Sequence, residues 1–223
     1  GERKFNKLNP IWRSKSLIDI SKLVKKNNLK NYSFCDDFFI NNNFINYKNI
    51  ENYYDILINN LKIINIKVYV LALLEKSCLT KINFKNYALR LKFLSNKLKK
   101  KNIKLALETN LDANSIINLL KLVKSKNIYI VYDTGNRLKK NNLQYNEILK
   151  LKKNICHVHI KDKNWKGENV VLGSGSVNFA QIFKAFKKIK YKGKFTFETN
   201  RGIEPLVTMK KNQKFIYNIL EKI

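Results

Sequence analysis

The chain has 223 residues, 44% of them hydrophobic, which suits one α/β domain with a sizeable core and excludes general disorder. No apolar run reaches the roughly 20 residues of a membrane span, and the opening GERKFNKLNPIW lacks the apolar stretch of a secretory leader. The net charge of +29 invites a nucleic-acid reading, but only five of the 45 basic residues are Arg, and the lysines recur in every segment beside Asn and Ile. That pattern reads as a solvated surface of biased composition, so no nucleic-acid and no membrane partner is expected. Cys35, Cys78 and Cys156 are odd in number and share no CxxC spacing, which points to reduced thiols and a cytoplasmic protein.

Asn9-Pro10 marks a loop, and Ser14 or Ser16 is placed to cap a helix running to about Lys26 on the stripe Leu17, Ile20 and Leu23. NYSFCDD, from Asn31 to Asp37, reads as a strand ending in two carboxylates. A helix over 50–63 follows, then a strand over 67–73 closed by Glu75, and a helix over 86–101. Four further strands come next, each with one polar residue at its C-terminal end. They are IKLALE ending at Glu108, IYIVYD at Asp133, ICHVH at His159 and KFTFE at Glu198. Helices near 113–126, 146–152, 179–189 and 209–220 follow these strands in turn. Two-residue alternation puts Glu108 on the face of Ala106, Asp133 with Val131, His159 with His157, and Glu198 with Thr196.

Strand and helix alternate throughout, which predicts a parallel sheet with right-handed crossovers in a single domain over 1–223. The expected fold is a (β/α)₈ TIM barrel. A complete one takes about 250 residues, so the chain is short by about one and a half β/α units, assigned to its N-terminal side. An open seam is then expected between the strands at 32–36 and 194–198. Active groups of such barrels sit at the C-terminal strand ends, where three carboxylates and one imidazole suit a hard divalent cation. Taken singly, each acid is as readily a solvated loop residue or a helix cap.

The stretches LALET, VYDTGN, HVHIKD, LGSGSVNF and FTFETNRG, in this order, resemble the sugar phosphate isomerase/epimerase superfamily with the xylose isomerase-like barrel. The resemblance implies one divalent metal held by Glu108, Asp133, His159 and Glu198. It also implies that Glu108 and Glu198 act as an acid/base pair on a ketose or sugar phosphate. Mn²⁺ or Mg²⁺ is favoured by three hard oxygens, with Co²⁺ or Zn²⁺ as alternatives. The reaction expected is removal of a carbon-bound proton beside a carbonyl held on the metal, through a metal-stabilised enediolate. Return of a proton to the same carbon epimerises, and return to its neighbour isomerises.

His157 lies one pleat deeper than His159, as a core or supporting histidine or a substrate contact. Lys161 and Asp162 meet substrate or form a surface ion pair, and Arg201 binds an anionic group or stays at the surface. Asn136, Asp37 and Glu75 complete the candidate substrate contacts. The turn Gly173-Ser174-Gly175 offers backbone N–H groups to a phosphate, or is a plain loop. Ketose 3-epimerases often have His three residues after the metal Asp and Arg six after the metal His; Asn136 and Trp165 stand there instead. An apurinic endonuclease-like phosphodiesterase is the second reading, weakened because its three-zinc site needs many histidines and this chain has two. A non-catalytic barrel fragment is the third. The expected partner is a small sugar or sugar phosphate, with self-association left open.

Overall fold

The structure, a computed structural model, describes residues 8–139 and 143–223. Its chain condenses into two compact units, residues 1–130 and 131–223, and the fourth strand runs from one into the other.

In the first unit, α1 (Ser14–Lys26), β1 (Ser33–Asp36), the short α2 (Phe38–Asn41), α3 (Ile50–Ile63), β2 (Val68–Ala72), α4 (Phe84–Lys100), β3 (Lys104–Glu108) and α5 (Ala113–Val123) precede β4 (Ile128–Asp133). β1 pairs with β2, β2 with β3, and β3 with the start of β4, all in parallel. The outer face of these strands carries Tyr69, Leu71, Leu105 and Leu107, which pack into one apolar core with Leu57, Leu61, Leu91 and Leu94 from the helices. That core gives α3 and α4 their place, since an amphipathic helix is fixed chiefly by the apolar stripe it buries. The opposite face holds Cys35, Val70 and Ala106, in register with one another.

The second unit continues from the end of β4 through α6 (Gln144–Leu151), β5 (Ile155–Ile160), the two-residue strands β6 (Asp162–Lys163) and β7 (Asn169–Val170), α7 (Phe179–Lys188), β8 (Lys194–Phe197) and α8 (Pro205–Leu220). β5 pairs with β8 in parallel, and β6 with β7 as an antiparallel hairpin. In the first unit the strand order is β1-β2-β3-β4, and in the second β8 lies beside β5. β8 departs from the buried strand expected from KFTFE: Phe195 remains 42% exposed. An edge strand has a neighbour on one side only, so half its surroundings are missing.

Helix ends differ from the sequence reading in identifiable ways. Arg13 rather than a serine occupies the cap position of α1 and makes no side-chain cap bond. α5 stops at Val123 because Lys124 turns into the left-handed region, where its N–H reaches the Leu120 carbonyl. Most helix-to-strand corners are turned in this way: Asn28, Asn65, Asn102, Lys124, Lys152 and Lys190 all have positive φ, a task usually given to glycine. Trp12 packs on Tyr53 with ring centroids 5.2 Å apart. No helix among the described residues is long and apolar enough to cross a membrane.

Candidate metal centre

The second unit brings Asp133, His159 and Glu198 together at the C-terminal ends of β4, β5 and β8. The His159 Nδ1 lies 3.0 Å from Glu198 Oε2 and 4.0 Å from Asp133 Oδ2. Asp133 and His159 are buried, while the Glu198 side chain is 42% exposed and forms the open side of the cluster. Strand parity explains the convergence, because residues ending adjacent parallel strands with the same parity project to one side.

Each member is held from behind. Asp133 Oδ1 accepts the N–H groups of Gly135 and Asn136 at 2.9 and 2.7 Å, which closes the turn after β4 and aims Oδ2 into the cluster. Thr134 ties the turn to β5: its N–H reaches the His159 carbonyl. Its hydroxyl donates to the Lys161 carbonyl at 2.6 Å and accepts the Lys161 N–H at 2.9 Å. Gln144 donates to the Thr134 carbonyl at 2.7 Å. Below the turn, the buried Arg137 guanidinium forms a fork on Glu147, with contacts of 2.9 and 2.5 Å, and Lys139 joins at 2.9 Å. His157 is fully buried; its Nε2 lies 3.2 Å from the Thr196 hydroxyl and its ring meets that of His159 edge-on. It therefore supports His159 from within the sheet.

Lys161 sits inside the cluster. Its Nζ lies 2.9 Å from Glu198 Oε2 and 3.1 Å from Asp133 Oδ2, so two carboxylates already hold a positive charge between them. Burial pushes the Asp133 carboxyl up; Lys161 opposes that shift, and the neighbouring Glu198 adds to it. Glu198 behaves oppositely: burial raises it, but hydrogen bonds with His159 and Asp133 together with Lys161 hold it well below the usual carboxylate range. Burial lowers Lys161, and the two carboxylates more than reverse this, keeping the ammonium protonated. Burial and His159 lower the His157 imidazole to about 4, so it is neutral near pH 7. One imidazole nitrogen beside hard carboxylate oxygens is a donor set that suits a divalent metal ion.

Asp162, expected either to meet substrate or to form a surface ion pair, is buried against the glycine turn. It is 1% exposed; Oδ2 accepts the N–H groups of Gly173 and Gly175 at 2.9 and 3.0 Å, and Oδ1 accepts that of Val177 at 3.2 Å. The Ser174 N–H goes to the Val171 carbonyl. The glycine turn thus spends its N–H groups on Asp162 and on the Val171 carbonyl, which suits the plain-loop alternative better than a phosphate cradle. A Cβ on Gly175 would lie 2.2 Å from Asp162 Oδ1, which explains glycine at that position. Asn136 contributes its N–H to Asp133, while Arg201 is exposed on the segment between β8 and α8. In the first unit, Glu108 is buried at the end of β3, with its carbonyl accepting the Leu73 N–H. Asp37 accepts the Cys35 thiol at 3.3 Å, and Glu75 is exposed in a 3₁₀ turn. Thr134, Arg137 and Glu147 went unnoticed in the sequence, because their side-chain hydrogen-bond partners lie eight or more residues away with no periodicity to announce them.

Parallel strands alternating with helices, with acids and a histidine that could hold a metal at the strand ends, are the architecture of a TIM barrel. The chain belongs to the xylose isomerase-like TIM barrel family, whose model matches residues 8–219. Among curated proteins it is similar to the uncharacterized protein MJ1311 of Methanocaldococcus jannaschii, 30% identical over 111 residues. That match spans 48% of this chain and 38% of the relative's length. Among solved structures, an L-ribulose 3-epimerase superposes with a TM-score of 0.75 at 18% identity, covering 92% of this chain and 79% of that one. The IOLI protein with a bound zinc atom gives a TM-score of 0.75 at 18% identity, covering 93% and 82%.

Proposed function

We propose that the protein is a divalent-metal-dependent isomerase or epimerase of a small ketose or sugar phosphate. The observation that carries this reading is the cluster of Asp133, His159 and Glu198 at the C-terminal strand ends, with the Lys161 ammonium between the two carboxylates. Glu108, which ends β3 as Asp133 ends β4, is the fourth ligand of the proposal. Mn²⁺ or Mg²⁺ suits a set of three carboxylates and one imidazole. When bound, such an ion supplies Lewis acidity toward a substrate carbonyl and the hydroxyl beside it.

The chain's own residues do the rest. Asp133 and His159, locked by the turn after β4 and by His157, keep the ligand positions fixed. Glu198 is the partly exposed member, open to substrate, and takes the carbon-bound proton in this reading. Glu108 takes the reciprocal part, returning a proton from the other side. Lys161 presents three donors, one or more of which orient a substrate oxygen or phosphate. Asn136, Arg201, Asp37 and Glu75 are the further substrate contacts proposed.

The test pairs metal affinity, by calorimetry with Mn²⁺, with exchange of substrate carbon-bound protons into deuterated solvent across a panel of ketoses and ketose phosphates. Wild type should bind about one ion and catalyse exchange. Asp133→Ala and His159→Ala should lose the ion. Glu108→Gln and Glu198→Gln should keep much of the binding and lose at least about a hundredfold in exchange, the low end for removing a general base. A wild-type protein that binds no divalent ion, or normal exchange in either Gln variant, ends this reading.

A further inference from the structure

The lysines spread evenly along the sequence are sorted in space. In the first unit, every helix that returns to the sheet delivers the chain to one end of it, where the strands begin. The four corner segments there, 25–30, 62–67, 99–104 and 121–126, contain twelve lysines and not one Asp or Glu, and all twelve are exposed. The acids that follow strands in this unit, Asp36, Asp37, Glu75, Glu108 and Asp112, lie at the opposite end. Lysine in the last turn of a helix is ordinary, since it complements the helix dipole. That accounts for Lys25 or Lys121 but not for Lys30, Lys67, Lys101, Lys104, Lys124 or Lys126, which lie beyond the helix ends. The corners of the second unit, 150–155 and 184–194, are likewise rich in lysine and free of acid.

We propose that the strand-start end of the first unit is a docking surface for an anionic lipid bilayer. Charge complementarity selects a polyanionic partner, because twelve exposed cations without acids produce a field that only dense negative charge neutralises. The chemistry of the face favours lipid over nucleic acid. It has no arginine fork for phosphate, whereas Leu29 and Ile63 stand 63% and 56% exposed among the lysines, placed to enter the headgroup layer. Lysines near an anionic leaflet contribute additively within a Debye length of the surface. The opposite end, which carries the proposed metal ligand Glu108, would then face away from the membrane.

The experiment is co-sedimentation of the full chain with vesicles of phosphatidylcholine alone and with about a third phosphatidylglycerol, at low and at high salt. Binding should require phosphatidylglycerol and weaken steeply with salt. Replacing Lys99, Lys100, Lys101 and Lys104 by Gln should lower the partition coefficient by a few hundredfold, about fivefold per lysine. Replacing Lys15, Lys81, Lys85 and Lys92 removes the same charge away from the corners and should cost at most about tenfold. Circular dichroism of both variants checks that they fold. Equal loss in the two variants would show a mere net-charge effect and overturn the proposal, as would absence of binding to the anionic vesicles. Salt-sensitive binding to single-stranded RNA without vesicle binding would overturn the lipid assignment in favour of nucleic acid.

Discussion

Replacing Asp162 by Ala tests whether one buried carboxylate holds the segment after the β6–β7 hairpin. The side chain accepts three backbone N–H groups, those of Gly173, Gly175 and Val177. A hydrogen bond to a charged group contributes about 1.5–3 kcal/mol net. Three at the lower figure give roughly 4–5 kcal/mol. The two glycine amides are part-buried and recover some of that from water, whereas the Val177 bond is buried and recovers none. The net loss is therefore about 3 kcal/mol, or roughly 6–12 °C in Tm for a chain of this size. Amide exchange should accelerate at Gly173, Gly175 and Val177. Lys161 should stay in place, because Thr134 fixes its backbone from the other side. Asp162→Asn should recover only part of the loss, since its amide nitrogen has to face a donor. A Tm within about 2 °C of wild type, or unchanged exchange at the three amides, would refute the clamp. Full rescue by Asn would show that the charge is immaterial.

Lys161→Met removes the ammonium between Asp133 and Glu198 and should tighten Mn²⁺ binding by at least about tenfold, because two carboxylates lose a competing cation in a half-buried site; equal or weaker calorimetric affinity would contradict this. Asp36 is buried beneath Tyr53 and Tyr69, which donate to it, and burial raises its carboxyl to about 6. A carboxyl raised on folding binds its proton more tightly in the folded state, so stability should fall as pH rises from about 4 to about 6 and level off above. The loss is of order 3 kcal/mol. Urea denaturation of wild type and Asp36→Asn across that range should show the slope in wild type alone; parallel curves would assign it to other groups.

The strand positions were legible because a buried parallel strand leaves a short apolar run between helix-length segments. β4 covers 128–133, the bounds expected of it, and β5 covers 155–160, one residue beyond the expected end at His159. The period of two was enough to turn Asp133 and His159 to one side. Edge exposure was not legible, because Phe195 reads as core until one knows that β8 has a neighbour on one side only. Nor was the hairpin of β6 and β7, since two-residue strands carry no period. The role of Asp162 depended on amides eleven to fifteen residues away. The lysines were misleading for a related reason: spaced evenly along the chain, they fall on recurring corners only after folding.

Those corners also say how the protein could be hardened. With seven glycines in 223 residues, the chain turns left-handed bends with Asn and Lys, each carrying a Cβ into a region that disfavours it by roughly 1 kcal/mol or more. Lys152, at φ 42° and ψ −120°, lies outside even the left-handed helical well, in territory that side chains rarely enter. Lys152→Gly should therefore yield more stability than any other single corner change. Lys124 and Lys190 should come next, and Asn28, Asn65 and Asn102 last, since Asn tolerates this backbone best. Because the corners are separate sites, their gains should add. Left-handed glycines placed there would make a sturdier scaffold on which to vary the ligands of the strand ends one at a time.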